Sequence, residues 1–259
     1  MHSLRIERDG AVAHLILTGP GNGNAMGPAT WTEIPAALDE LEADPAIRAL
    51  VVRGHGEHFS FGLDVRATAP ALMGEMDAYR RRELHTMIVT MQTAFTRIST
   101  SRLPAIAAVH GWCIGAGIEL IAACDIRYAH IGAKFSLREV QLAIVPDLGA
   151  LQRLPLIVGE GHARELALTG KTIDANRAAA IGLVNEVVER ETIEDVVAYA
   201  AEIAAQIATY SPLTVAGIKQ VKNAQQGRSI ADGLAYVAAW NAAFLPSPDL
   251  TAALRTFSK

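Results

Sequence analysis

The chain has 259 residues, 51% hydrophobic and 19% charged, and area scaling gives about 11,000 Å² of folded surface against about 40,000 Å² extended, which excludes intrinsic disorder and any need for disulfide or metal staples. With 23 Lys and Arg against 27 Asp and Glu, the net charge of −4 disfavours a general nucleic-acid binder, because phosphate neutralisation needs a concentrated positive surface. The low charged fraction implies that part of the surface is covered by other subunits. Residues 4–6 and Val12–Leu17 alternate as short strands, joined by a hairpin over Asp9 and Gly10. After a Gly-rich loop, Thr30–Ala43 places Trp31, Ile34, Leu38 and Leu41 at helical spacing. Residues 49–52 form an apolar strand, residues 77–99 a helix with Met87, Met91, Ala94, Phe95 and Ile98 on one face, and Ala105–Val109 another strand. Residues 125–129 and Lys134–Ser136 add strands before a helix over residues 149–158, and residues 182–185 begin the last strand. From about 190 only Ala-rich helical patterns remain: 194–208, 213–225, 230–244 and a final turn or two to Lys259. The order is α/β, with an expected boundary between residues 1–195 and a helical region over 196–259.

Cys113 and Cys124 are the only cysteines. The N-terminal residues show neither an apolar secretion core nor an Arg-rich presequence, so a reducing, cytoplasmic setting is expected. Residues 103–126 are apolar enough to test as a membrane span, but Pro104, His110, Glu119 and Asp125 interrupt them. They read better as a strand, a turn and a buried helix.

That stretch, HGWCIGAGIELIAACDI, carries the chemistry. It contains neither G-x-x-x-x-G-K-[ST] nor G-x-G-x-x-G, and no Lys or Arg lies between Arg102 and Arg127, which disfavours a nucleotide loop. It leaves a helix N-terminus built of small residues, whose free amides can approach a negative oxygen closely. A second glycine-bearing turn, HFSFGLD at residues 58–64, follows the strand at 49–52, so two strand ends offer backbone donors. Three acids stand near them in sequence. Glu119 suits the helix macrodipole, Glu139 can pair with Arg138 on a solvated face, and Asp147 can cap a helix starting near Leu148. His55 and His58 lack the further ligands of a metal site, so none is expected. His110 reads as a structural histidine, Cys113 as a small buried residue, and Met87 and Met91 as core or acyl-pocket lining.

The series of motifs, from NAM at residues 24–26 through SFGLD, HGWCIGAGIEL, CDIRYA, AKFSLREV, PDLGALQRLP and GLVNEVV, resembles the crotonase family, the enoyl-CoA hydratase/isomerase superfamily. The resemblance implies a spiral of repeated ββα units, a helical C-terminal region used for trimerisation or a dimer of trimers, and acyl thioesters carried on coenzyme A as substrates, with no separate cofactor. It assigns the oxyanion donors to the amides of Leu63 and Ala116. It runs the coenzyme arm beside Ala25 and the segment of Ser60, Phe61, Gly62 and Asp64, with Gly115 in the second turn; Phe61 stands where Ala is usual. Glu119 and Glu139, twenty residues apart, match the pair that activates water in hydratases, with Glu139 giving a proton to the α-carbon. Asp147 stands where hydratases usually have Gly and resembles the dienoyl-CoA isomerase branch, which shuttles protons with this Glu and Asp. Hydration of a trans-2-enoyl-CoA is the leading expectation, dienoyl isomerisation by Glu139 and Asp147 the alternative. A catalytically silent crotonase-fold assembly or RNA-binding protein is a third, disfavoured by the intact acids and the net charge.

Overall fold

A computed structural model gives the fold, described for residues 1–190 and 192–257. The main sheet has six strands: β1 (Leu4–Asp9), β2 (Val12–Leu17), β3 (Ala49–Gly54), β4 (Ala105–Val109), β6 (Ile126–His130) and β9 (Glu186–Val188), side by side in that order. Only β1 and β2 pair antiparallel; each later neighbour is parallel and is reached by a crossover. A smaller sheet holds β5 (Trp112–Ile114), β7 (Lys134–Ser136) and β8 (Thr172–Asp174) in the order β5-β7-β8.

The crossovers carry α1 (Thr30–Ala43), α2 (Val65–Leu72), α3 (Ala78–Thr100), α4 (Ala116–Ala123), α5 (Ala150–Val158), α6 (Glu160–Thr169) and α7 (Ala175–Ala180). Then come α8 (Ile193–Ala208), α9 (Pro212–Ala224), α10 (Ile230–Phe244) and α11 (Pro248–Phe257). The expected last residues, Ser258 and Lys259, lie outside the described residues.

Strand β4 is buried throughout, as a parallel central strand must be. Its alternate side chains serve two cores. Ala105, Ala107 and Val109 face the large core with Ile34, Leu38, Phe95, Ile118 and Leu120. Ile106 and Ala108 face a smaller one closed by Val196, Ala200 and Ala204 of α8. Helix α8 therefore covers the sheet and belongs with the core, although a boundary near 195 was expected from composition. The C-terminal layer starts with α9.

Candidate active site

The two glycine turns are laced together by backbone hydrogen bonds. Ser60 N–H donates to Trp112 O at 3.0 Å and Ile114 N–H to Ser60 O at 2.9 Å, so the segment after β3 extends the small sheet. On its other side Met26 N–H donates to Gly62 O at 2.7 Å and Asp64 N–H to Met26 O at 2.9 Å. In this parallel bridge the intervening Leu63 amide must point away from Met26. Gly62 has φ +84°, and a Cβ there would lie 2.6 Å from Ile114 O and 3.1 Å from Ala116 N. Only glycine allows this approach. It brings Leu63 beside Ala116, the first residue of α4, and among the described residues no chain acceptor takes either amide hydrogen. These are the two amides that the sequence resemblance implied as oxyanion donors.

Ser60 is fully buried: its hydroxyl donates to Asn24 O at 2.9 Å and accepts from Gly62 N–H at 3.0 Å. Its work is to shape the turn. Asn24, in the left-handed region at φ 48°, reaches from the other side with Nδ2 to His55 O and His58 O at 2.8 and 2.7 Å. Asp64 caps α2 by accepting from Ala67 N–H. Ala25 is half-buried, and Phe61 is exposed over Gly23 with its ring 4.9 Å from that of His58.

The three acids converge behind these amides. Gly115, at φ +52°, has no room for a Cβ, which would sit 2.8 Å from Glu139 Oε1; the Glu139 carboxyl therefore lies against the residue preceding the Ala116 donor. Its Oε2 is buried with no partner among the described residues. Burial pushes Glu139 up to about 6, its own backbone N–H pulling it down and the charge of Asp147 adding to the rise. Arg138 does not neutralise it as the solvated-pair reading had it: that guanidinium lies 4.9 Å over the Trp112 ring and donates to Ser136 Oγ.

Glu119 on α4 is buried, and its Oε1 accepts from Leu148 N–H at 3.0 Å and Ala150 N–H at 3.1 Å. Burial pushes it up to about 8; Glu139 and, less, Asp147 add to the rise, while the two amides oppose it. Asp147 is half-buried and raised by the same burial. It does not cap the helix after it, as the sequence suggested. Helix α5 starts at Ala150 with Gly149, at φ +117°, as N-cap and no side-chain cap. Two of the amides after it, those of Leu148 and Ala150, go to Glu119, and the Asp147 carboxyl is held by its own backbone N–H instead of capping the helix.

Two residues that sequence reasoning missed hold this segment. Gln92 Nε2 donates to Asp147 O at 2.7 Å, and Arg153 Nη1 to Leu148 O at 3.1 Å. Neither follows a motif spacing: Gln92 bonds a carbonyl 55 positions away, and Arg153 bends back to one five residues before it. Elsewhere His110 is buried with Nε2 on Gly56 O at 3.0 Å, and burial pushes the Cys113 thiol well up. Among the described residues no three His, Cys, Asp or Glu form a metal-binding group, and no helix is long and apolar enough to cross a membrane.

A family model described as Enoyl-CoA hydratase/isomerase matches residues 7–245. The chain is 41% identical over 256 residues to the peroxisomal Delta(3,5)-Delta(2,4)-dienoyl-CoA isomerase of Arabidopsis thaliana, spanning 97% of this chain and 91% of that one. It is 34% identical over 237 residues to a short-chain-enoyl-CoA hydratase of Clostridium acetobutylicum, spanning 91% and 87%. A crystal structure of an enoyl-CoA hydratase from Bacillus anthracis superposes with a TM-score of 0.89 at 28% identity, over 99% of this chain and 96% of that one. Motif order and fold agree with these matches: the chain belongs to the enoyl-CoA hydratase/isomerase family.

Proposed function

We propose that the protein isomerises a 3,5-dienoyl-CoA to the 2,4-dienoyl-CoA, and that the Asp147 carboxyl, which caps no helix and lies close enough to Glu139 to raise it, carries this reading. The thioester oxygen sits between the Leu63 and Ala116 amides, which puts C2 near Glu139, the carboxyl packed against Gly115. Glu139 takes a proton from C2. The C2–H electron pair becomes C2=C3, the C3=C4 pair moves to C4=C5, and the C5=C6 pair takes a proton at C6 from Asp147. Negative charge collects on the thioester oxygen in between, where two fixed amides stabilise it without reorganising; losing one such donor typically costs about 3 to 4 kcal/mol in the barrier. Both acids stand in a half-buried pocket that keeps their proton affinities up, as proton carriers near neutral pH require. Coenzyme A enters as part of the substrate.

Hydration of a trans-2-enoyl-CoA, the leading expectation from sequence, keeps one specific support: Glu119 and Glu139 feel each other's charge and could hold a water between them. Against it, Glu119 Oε1 is already committed to Leu148 and Ala150. Offering the purified protein a 3,5-dienoyl-CoA and a trans-2-enoyl-CoA separately, and following the ultraviolet band of each thioester, decides between them. Faster turnover of the diene is expected; turnover of the monoene alone overturns the isomerase reading.

A further inference from the structure

We propose that Gln92 and Arg153 are positioning residues for proton transfer by Asp147: from the α3 side they hold the carbonyls of the segment whose amides Glu119 holds from α4. This rests on the reading that Asp147 gives the proton at C6.

Residues 147–150 lie between a 3-10 turn and α5, outside any strand or helix until Ala150, so regular secondary structure does not fix where the Asp147 side chain emerges. Four bonds do. Glu119 Oε1 accepts the amides of Leu148 and Ala150, and Gln92 and Arg153 donate to the carbonyls of Asp147 and Leu148. Arg153 is itself anchored on α3, where its Nη2 donates to Thr96 Oγ1 at 3.2 Å. Gln92 and Thr96 are four residues apart on α3 and so share a face. Gly149 belongs to the same clamp, since a Cβ on it would lie 1.9 Å from Arg153 Nη1.

The side-chain chemistry is unusual enough to need a reason. Among the described residues the half-buried Arg153 guanidinium makes no ion pair: it feels the charge of Glu119, but its hydrogen bonds go to a carbonyl and a hydroxyl. Gln92 orders a flexible side chain to reach one carbonyl 55 positions away. A carboxyl that must meet C6 within hydrogen-bond reach gains from this fixing, because proton transfer is steeply sensitive to placement.

The test uses the full chain in deuterated water with a 3,5-dienoyl-CoA, measuring both isomerised product and deuterium at C2 of recovered substrate. Gln92→Met keeps the side chain's length and removes the donor. Isomerisation is expected to fall about 10- to 100-fold, as for a displacement of roughly 1 Å, while C2 exchange and KM change by less than about threefold. The ratio of exchange to product therefore rises, since Glu139 still works at C2 when Asp147 is displaced. Thr96→Val, on an exposed hydroxyl, should move the ratio the same way by less, and it decides the matter if Gln92→Met does not fold. Parallel loss of exchange and product, or no change in their ratio, overturns the proposal while leaving the function intact. A wild-type protein that hydrates the monoene and leaves the diene untouched overturns both.

Discussion

Three carboxyl groups in one pocket divide their tasks by what holds them. Glu119 gives one oxygen to two amides, and an amide side chain can present the same acceptor. Glu119→Gln should therefore keep most isomerase activity, whereas Asp147→Asn, which removes a proton carrier, should lower kcat about 100- to 10,000-fold. The reverse order in steady-state assays would mean that Glu119 activates water. Stability gives a second handle on Glu119. Its carboxyl is raised from 4.5 to about 8 in the fold, so the folded state holds a proton that the unfolded state releases, and stability falls as pH rises from about 4.5 to about 8. Glu119→Gln should remove that fall, gaining on wild type in melts at pH 8 relative to pH 5. The same shifts shape the rate: below about 6 Glu139 is neutral and cannot take the C2 proton, so kcat/KM is expected to fall on the acid side with a limb near 6. The positions of the three acids and of Leu63 and Ala116 were legible in the sequence through the resemblance of its motifs to the family. That Asp147 caps no helix was not, since it depends on α5 starting two residues later than the cap reading required.

Elements long enough to show a period were readable, and those too short or too interrupted were not. Thr30–Ala43 and Ala105–Val109 are found where the apolar pattern put them. Strand β5 has three residues between glycines, paired with β7 on one side and bridged to Ser60 on the other, so its alternation is too brief to register. Helix α2 contains Pro70, is assigned no element by the sequence pattern, and depends for its start on the Asp64 cap. The first amide of α4 shows how an element's start sets chemistry. Ala116 is at the first helical position, where proline is tolerated and only the N–H is lost. Ala116→Pro should thus fold and lose about 100- to 1,000-fold in kcat, the usual effect of deleting one oxyanion donor; retained turnover in a folded variant would remove the oxyanion assignment. Helix α9 is tied to the core by one buried cation. Lys219 Nζ donates to Ile98 O and Leu103 O, each at 2.9 Å, and lies 2.7 Å from Asp125 Oδ2. Lys219→Met should cost about 3 kcal/mol in denaturant unfolding, because it leaves a partly buried carboxylate and two carbonyls without their cation.

At the scale of the whole molecule the single chain exposes more surface than its mass requires. Its accessible surface is 13,268 Å², whereas a compact monomer of its mass has about 11,000 Å². The excess fits the C-terminal layer: α10 has no buried residue, and Ile218, Ile230, Leu234, Phe244, Leu245 and Leu254 are all exposed across α9 to α11 and the link after α10. We propose that a further copy of the chain covers this stripe, in the trimer or dimer of trimers that the sequence resemblance implies. Light scattering at micromolar concentration is then expected to give three times the 27.6 kDa chain mass or a multiple of it. Leu234→Asp, which places a charge on the exposed face without touching either core, should dissociate the particle and leave the sheet's unfolding transition in place. A stable particle of single-chain mass for the unmodified protein would show that the apolar layer has another use, and the low charged fraction of the sequence would then need a different cause.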